Sequence, residues 1–251
     1  MQIKSSLLLL SMLLFPLSAC TDGAPPHVET PRRHFTDAAQ QEAADKEFAV
    51  YDPAEGVNKH IYDFNARLDK YFFIPVVDAY TYVTPEFFRI GINNFFLNVG
   101  EVTNFTNSVL QANPLKASKT LVRFALNTTV GLLGTVDVAA KMGVERQSED
   151  FGRTLGRWGV GPGAYVVLPL LGPSNIRDSI GKVADYATLY FIIPAQAQDT
   201  TAYDVIAYGL QPIDLRYSNN FRYYESSSPF EYELVRYIVA QAREQQIQKL
   251  R

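Results

Sequence analysis

Hydrophobic residues recur at three- and four-residue spacing through much of the chain, which is the pattern of amphipathic α-helices. The clearest set falls on one helix face and consists of Phe88, Ile92, Phe95, Phe96, Val99 and Val102. A weaker set runs from Leu115 to Leu126, and a long last helix is predicted over about residues 229–247. The end of that helix, residues 242–246, is polar on all sides and is expected to be exposed.

Strand-like alternation is scarce in comparison. The best strand candidate is the short apolar run from Ala164 to Leu171, which Pro169 interrupts. We therefore predict a mainly α fold. After residue 19 no stretch reaches 18 uncharged apolar residues, so no transmembrane helix is expected in the mature chain.

Several predicted helices start with a residue that can cap a helix and a proline directly after it. Proline suits the first helical position because its missing N–H would have no partner there. The four starts of this form are Asp52-Pro53, Thr84-Pro85, Asn113-Pro114 and Ser228-Pro229. Glu55 and Glu231 stand three residues after the first and last of these caps, as in a capping box.

Glycine is dense in the middle of the chain. The residues are Gly131, Gly134, Gly143, Gly152, Gly156, Gly159, Gly161, Gly163 and Gly172. Glycine destabilises helix interiors and permits positive φ, so this region is predicted to contain tight turns and close backbone packing. It is either a turn-rich connector or a moving segment with hinges.

Residues 1–19 have the form of a bacterial signal peptide. Lys4 supplies a positive charge near the start. The apolar run from Leu7 to Phe15 is shorter than the roughly 20 residues that a membrane-spanning helix needs.

The apolar run is followed by Leu17, Ser18, Ala19 and Cys20, which resemble the lipobox of bacterial lipoproteins. There the cysteine sulfur accepts diacylglycerol, and two or three acyl chains anchor a protein firmly. The alternative is an ordinary signal peptide with an incidental cysteine. By resemblance to bacterial sorting rules, Thr21 after the cysteine implies lipid anchoring in the periplasmic leaflet of the outer membrane.

Residues 20–47 are polar and contain prolines, which is typical of a flexible tether, and the folded domain is predicted over residues 48–251. The net charge of −3 argues against nucleic-acid binding. The hydrophobic content of 47% permits a core. The aromatic content of 13% indicates either an aromatic core or rings at a membrane interface.

Candidate catalytic and metal-binding residues are few. His60 is the one histidine in the predicted domain, and neither a Gly-x-Ser-x-Gly motif nor a histidine–cysteine cluster with metal-ligand spacing occurs. Cys20 is the sole cysteine, so an intramolecular disulfide is impossible. The segment from Gly159 to Gly163 lacks the Lys-Ser/Thr of a phosphate loop and is predicted to be a turn. We predict no catalytic residue, no metal and no cofactor.

The domain contains a series of distinctive motifs. In order they are residues 52–59 (DPAEGVNK), 62–65 (YDFN), 68–69 (LD), 89–95 (RIGINNF), 123–128 (RFALNT), 149–156 (EDFGRTLG), 158–161 (WGVG) and 168–174 (LPLLGPS). Together they resemble the MlaA/VacJ family of outer-membrane lipoproteins. The resemblance is clearest over residues 51–185. Three positions depart from it. Ile74 precedes Pro75 where an arginine is common, Glu101-Val102 stands where Glu-Pro is common, and Ala112 replaces a frequent glycine.

The resemblance implies a ring of amphipathic helices that lies in one leaflet around a central channel. It implies removal of mislocalised phospholipids from the outer leaflet of the outer membrane, and their transfer to a soluble periplasmic carrier of the MlaC type. It also implies a complex with a trimeric outer-membrane porin. A non-catalytic envelope scaffold is the alternative function, and a phospholipase that uses His60 is a further one.

The resemblance also supplies candidate site residues. The candidates for the channel and a hinged hairpin beside it are Asn65, Asn94, Phe95, Asn127, Gly131, Gly134, Asp137 and Gly143. Arg153, Arg157 and Arg177 stand near acidic residues and are interpreted as salt-bridge or capping groups. The alternative is that their guanidinium groups contact lipid headgroups.

Overall fold

A computed structural model of the chain describes residues 49–225, Ser228 and residues 230–250. The predicted signal peptide, its cleavage motif, Cys20 and the tether lie outside these residues. The described part is mainly helical, as predicted, with one pair of strands. None of its helices combines the length and the apolar character needed to cross a membrane.

The helices follow one another with short connections. In chain order they are α1 (Glu55–Leu68), α2 (Ile74–Val83), α3 (Glu86–Leu110), α4 (Pro114–Thr129), α5 (Val138–Lys141), α6 (Phe151–Arg157), α7 (Ile176–Ile192), α8 (Ala195–Gln198), α9 (Thr201–Asp204), α10 (Gln211–Ser218) and α11 (Glu231–Gln248). Two π-helical segments interrupt this order. Segment π1 (Asp69–Phe73) joins α1 to α2, and segment π2 (Val205–Leu210) joins α9 to α10.

The strand candidate is confirmed, over a shorter range than predicted. Strand β1 (Tyr165–Leu168) pairs antiparallel with β2 (Gly172–Asn175), and Leu168 stands opposite Gly172. The strand ends before Pro169 because proline cannot donate to the ladder. Helix α7 follows β2 directly, and the Asn175 side chain caps it by accepting from the Asp178 N–H at 2.8 Å.

Of the four predicted caps, the one at Asn113 is confirmed, since its side chain accepts from the Lys116 N–H at 3.1 Å. The caps predicted at Asp52 and Thr84 are wrong, because Ala54 and Pro85 occupy the cap positions of α1 and α3 and make no side-chain capping bond. At the start of α11, Ser228 Oγ accepts from the Phe230 N–H at 3.2 Å, as a capping serine does, although the regular helix begins only after Phe230.

The carboxylate of Asp52 serves a tertiary contact instead of a cap. It accepts from Asn58 Nδ2 at 2.7 Å and from Arg236 Nη1 on α11 at 3.0 Å. A charge-assisted bond of this kind is about twice as strong as a neutral one, which explains why the acid is used to join α1 to α11.

The aromatic core lies where α1, β1 and α11 meet. Its buried members are Tyr62, Tyr165, Val167 and Tyr232. The rings of Tyr62 and Tyr232 pack edge to face with centroids 5.7 Å apart, a favoured geometry for aromatic pairs. Part of the aromatic content therefore belongs to a core.

Helices α6 and α7 cross at two glycines. A Cβ on Gly181 would collide with the backbone nitrogen of Gly152, so only glycine permits this approach. The prediction of close backbone packing in the glycine-rich region is confirmed here.

The end of α11 is largely exposed, as predicted, since Ala242, Gln245 and Gln246 are exposed and Arg243 is half-buried. Arg243 donates from Nε to Asp178 and from Nη1 to Asp150, both at 2.8 Å. The sequence pattern does not show these contacts, because Asp178 on α7 and Asp150 just before α6 lie far along the chain from Arg243.

Candidate functional site

A cavity of about 1410 Å³ lies between the helices and the β-hairpin. It is larger than the roughly 300–1,000 Å³ of most small-molecule sites. Its apolar wall includes Phe95, Phe96, Val99, Val183, Leu189 and Ile193. Both π-helical segments contribute to the lining, which accords with the frequent occurrence of such segments at functional sites.

The cavity wall also carries polar side chains, among them Asn65, Asp69, Gln211, Arg216, Asn219 and Tyr223. Asp69 and Arg216 are the charged side chains of the lining in the described part of the chain, and they form a bidentate pair. Arg216 Nη2 lies 2.9 Å from Asp69 Oδ2, and Nη1 donates to the carbonyl of Asn219 at 2.7 Å. The cavity is therefore amphipathic, with its charges balanced.

Asn65 is fixed at the cavity wall by the hairpin turn. Its Nδ2 donates to the carbonyl of Leu168, and its Oδ1 accepts from the Leu170 N–H, both at 2.9 Å. The residue is buried at 4% exposure and so satisfies two backbone groups that would otherwise lack partners. This amide joins α1 to the turn after β1.

Tyr223 supplies a neutral hydroxyl beside the charge pair. Burial, together with the nearby carboxylate of Asp69, raises the pKa of Tyr223 to about 12. The phenol is therefore protonated at neutral pH.

Polar side chains are concentrated inside the protein rather than outside. Among the described residues, ten hydrophobic side chains are buried against twenty-two polar or charged ones. Between α3 and α4, Arg123 Nε lies 2.9 Å from Glu101 Oε1, and Arg123 Nη2 lies 2.8 Å from Asp137 Oδ2. Buried hydrophobic residues usually predominate in water-soluble proteins, so the arrangement here is reversed.

The outward surface is correspondingly apolar. Exposed large hydrophobic residues on or next to α3, α4 and α6 include Phe87, Phe88, Leu97, Val109, Leu121, Val122, Leu132, Leu133 and Trp158. Extended apolar surface of this kind is typical of faces that contact a membrane or a partner.

The loop after α4 carries two of these exposed residues at its tip. Leu132 and Leu133 have φ of 52° and 59°, in the left-handed region, and are 71% and 68% exposed. Gly131 donates its N–H to the Leu126 carbonyl at 3.1 Å, and Gly134 (φ 92°) donates to the Asn127 carbonyl at 2.8 Å. The loop is thus tied to the end of α4.

Side chains of the predicted set hold the same loop. Asn94 Nδ2 donates to the carbonyl of Thr135 at 3.1 Å, and Asn127 Nδ2 donates to Asp137 Oδ1 at 3.0 Å. Asp137 caps α5 by accepting from the Ala140 N–H at 2.9 Å. Arg123 and the capping bond hold the pKa of Asp137 below its usual value, although burial alone would raise it.

The predicted channel residues therefore fall into two groups. Asn65 and Phe95 line the cavity. Asn94, Asn127, Gly131, Gly134, Asp137 and Gly143 form or hold the loop, and none is among the lining residues in the described part of the chain. The segment from Gly131 to Gly143 consists of turns and the short α5, where a hairpin was expected.

The three candidate headgroup arginines contact protein groups. Arg177 is buried and donates to Asp178 at 2.9 Å, Arg153 pairs with Glu149 at 3.5 Å, and Arg157 donates to a backbone carbonyl near the end of α11. These contacts favour the salt-bridge interpretation over the headgroup alternative.

His60, the residue a phospholipase would need, lies on the exposed side of α1. Its Nδ1 is 2.6 Å from the carbonyl of Gly56, which accepts, so that nitrogen carries the proton. Over residues 49–225 and 230–250, no group of three or more histidine, cysteine or acidic side chains is placed to bind a metal.

Sequence analysis missed four polar members of the wall, which are Gln211, Arg216, Asn219 and Tyr223. They lie beyond the stretch with the clearest family motifs, and Arg216 meets Asp69 only through the fold. Asp69 itself belongs to the Leu68-Asp69 motif, but the motif alone does not predict its role.

Comparison with known proteins identifies similar chains. A protein of Rickettsia bellii is 34% identical over 201 residues, covering 79% of this chain and 78% of that protein. The Escherichia coli (strain K12) protein named intermembrane phospholipid transport system lipoprotein MlaA is 40% identical over 138 residues, covering 53% of this chain and 55% of that protein. The Haemophilus influenzae protein of the same name is 30% identical and covers 67% of each chain.

A solved structure described as the structural basis for maintenance of bacterial outer membrane lipid asymmetry also matches. Its TM-score is 0.63 and its sequence identity is 30%, and the match covers 79% of this chain and all of that one. The ring-like helical arrangement predicted from the resemblance fits this fold.

The reversed polarity and the cavity place the chain in the class of helical proteins that present apolar faces outward and enclose an amphipathic cavity. Within that class, the model of the MlaA lipoprotein family matches residues 50–246. The chain belongs to the MlaA lipoprotein family.

Proposed function

We propose that this protein binds phospholipid in its cavity and takes part in intermembrane phospholipid transport. It would remove mislocalised phospholipids from the outer leaflet of the outer membrane and pass them to a soluble periplasmic carrier of the MlaC type. The observation that carries the proposal is the cavity of about 1410 Å³, whose mainly apolar wall also carries polar side chains and one balanced pair of charges.

A phospholipid has one polar end and two apolar chains, and each needs a different environment. Moving the headgroup through hydrocarbon costs several kcal/mol for each unpaired polar group. The polar lining residues, such as Asn65 and Tyr223, offer hydrogen-bonding groups to the headgroup. Phe95, Phe96 and Val183 offer apolar surface to the acyl chains.

The outward apolar faces support a position within a membrane leaflet. Charged side chains that would face water in a water-soluble protein are paired in the interior, as in the Arg123–Glu101 pair. The outward helix faces carry apolar side chains instead, and these can contact acyl chains. Lipid anchoring through Cys20, in the periplasmic leaflet of the outer membrane, and a complex with a trimeric porin are part of the same proposal.

The transport needs positioning rather than bond cleavage, so the proposed role is non-catalytic. The relatives named as lipoproteins of a phospholipid transport system support it. No observation of the structure favours the scaffold alternative specifically.

The test is the phospholipid content of the outer leaflet in cells. Deletion should raise surface phospholipid, and wild-type protein should restore the normal level. Cys20→Ser, which removes the acylation site, should fail to restore it. Ala207→Trp, which places a large ring on the cavity wall, should fail as well.

A matched control is Ala195→Trp, which lies on an exposed part of α8 and is not among the lining residues. It should restore the normal level. Full restoration by Ala207→Trp would contradict the proposal and favour a scaffold, whose action does not need an open cavity.

A further inference from the structure

The two charged side chains of the cavity wall bear on which phospholipid headgroup the protein binds. This inference rests on the proposed function, since it assumes that the occupant of the cavity is a phospholipid. The charged lining groups in the described part of the chain are Asp69 and Arg216, one acidic and one basic, in direct contact.

Arg216 retains donors for a ligand. A guanidinium carries five N–H groups. The N–H of Nε, one N–H of Nη1 and one N–H of Nη2 are each directed to Asp69 or to the Asn219 carbonyl. In the described residues, one N–H on Nη1 and one on Nη2 therefore remain. Guanidinium N–H groups bind phosphate oxygens with strong, directional hydrogen bonds.

Asp69 likewise retains acceptor capacity. A carboxylate has about four lone-pair positions, and Arg216 uses two of them. The remaining positions suit a donor with a positive charge, such as a primary ammonium group. A quaternary ammonium group has no N–H and cannot use them in this way.

We infer that the Asp69–Arg216 pair selects zwitterionic phospholipids with a primary ammonium group, the headgroup chemistry of phosphatidylethanolamine. The phosphate takes the free N–H groups of Arg216, and the ammonium takes the free lone pairs of Asp69. Both charges of the pair remain compensated when this headgroup is bound.

Other headgroups satisfy the pair less well. Phosphatidylglycerol brings a phosphate without a cation and so adds one uncompensated negative charge next to Asp69. In a cavity of low dielectric this charge is costly. Phosphatidylcholine is zwitterionic but cannot donate to the carboxylate.

The test uses the full-length lipidated protein in detergent, exchanged with an equimolar mixture of phosphatidylethanolamine, phosphatidylglycerol and phosphatidylcholine with identical chains. The bound lipid is then measured by mass spectrometry after re-isolation. Wild-type protein should be enriched about tenfold in phosphatidylethanolamine over phosphatidylglycerol, as expected for one additional charge-assisted hydrogen bond.

Three variants report on the pair. Asp69→Asn leaves Arg216 uncompensated and should move the preference toward phosphatidylglycerol. Arg216→Gln removes the phosphate donors and should reduce total bound lipid. The double variant Asp69→Asn/Arg216→Gln keeps an amide–amide contact and should bind lipid with a headgroup ratio near that of the mixture.

Glu55→Gln is the matched control, because it neutralises an acid of the Lys59–Glu55 pair, which is not part of the cavity wall. It should keep the wild-type preference. Excess soluble glycerophosphoethanolamine should not displace the bound lipid, since it lacks the chains that the apolar wall holds. Displacement would mean that the site takes a soluble headgroup instead.

The outcomes separate the two proposals. Wild-type protein that carries lipid in the proportions of the mixture overturns the selectivity and leaves the proposed function intact. The same preference in wild type and double variant also overturns it. Wild-type protein that carries no lipid contradicts the proposed function itself. If a variant does not fold, wild-type protein without enrichment in phosphatidylethanolamine still overturns the inference.

Discussion

Arg123 on α4 donates from Nε to Glu101 on α3 at 2.9 Å, and both side chains are almost completely buried. The pair lies between two helices whose outward faces expose Leu97, Leu121 and Val122. Polar interactions, rather than apolar packing, therefore join these helices. Such packing suits a protein whose surroundings are apolar, because the hydrophobic effect does not drive association there.

Removing Arg123 should destabilise the protein strongly. Arg123→Ala leaves Glu101 and Asp137 without their shared partner, and loss of one member of a buried pair typically costs about 3–5 kcal/mol. Chemical unfolding in detergent micelles measures the change. Lys119→Ala, at an exposed position of the same helix, is the control and should stay within about 0.5 kcal/mol of wild type. Equal effects of the two substitutions would contradict the role given to the buried pair.

The single tryptophan reports on the environment of the outward face. Trp158 is 54% exposed, and its Nε1 donates to the Leu110 carbonyl at 3.2 Å. If this face contacts acyl chains, brominated lipids should quench its fluorescence strongly and aqueous iodide only weakly. Steady-state quenching of the lipidated protein in bilayers measures both. Strong quenching by iodide alone would place this face in water.

Proline in the loop after α4 should disturb lipid transport without releasing the protein from the membrane. Gly131→Pro and Gly134→Pro each remove a backbone donor, and the φ of 92° at Gly134 is closed to proline. Surface phospholipid in complemented cells should rise toward the level of the deletion strain. Gly56→Pro, in the first turn of α1, is the control and should behave as wild type. A normal surface phospholipid level in the loop variants would count against the hinge hypothesis.

Asp214 should limit stability at neutral pH. It is 1% exposed and accepts from Asn93 Nδ2 at 3.0 Å, and burial raises its pKa above the usual value of 3.8. Since the folded protein then binds a proton more readily than the unfolded chain, stability rises as pH falls through the folded pKa toward the unfolded pKa. Asp214→Asn should therefore raise the unfolding midpoint at pH 7 by about 2–4 °C. The gain should shrink as pH falls.

Asp178 provides the opposite case. Burial alone would raise its pKa, but Arg177 and Arg243 hold it below the usual value. The stability that Asp178 contributes is present above its pKa in the unfolded chain. It is lost as pH falls through its pKa in the folded protein. Asp178→Asn should lower the midpoint at pH 7, with a difference that disappears in acid. If both variants shift the midpoint in the same direction at pH 7, this electrostatic assignment fails.

The elements that depend on local sequence patterns could be predicted from the sequence. Periodicity located α3 and α11, and the apolar run at Ala164 located β1, because these patterns depend on neighbours a few residues apart. Ala112, where the resemblance predicts a glycine, has φ of 51°, a conformation that favours glycine.

Periodicity could not tell what each helix face contacts. Phe88 is 55% exposed, while Phe95 and Phe96 line the cavity, although all three belong to the same predicted face. The Asp69–Arg216 pair joins residues 147 positions apart, so no local pattern contains it. The cap predicted at Asp52 was wrong for the same reason. Its partner Arg236 lies on a helix that is distant in the sequence, so no local pattern shows the contact.

The most direct measurement is native mass spectrometry of phospholipid bound to the lipidated full-length protein. Wild type and Ala195→Trp should each retain noncovalent phospholipid, whereas Ala207→Trp should retain about tenfold less because its ring fills space that acyl chains need. A wild-type protein without bound phospholipid, or equal occupancy in Ala207→Trp, would contradict a lipid-binding cavity.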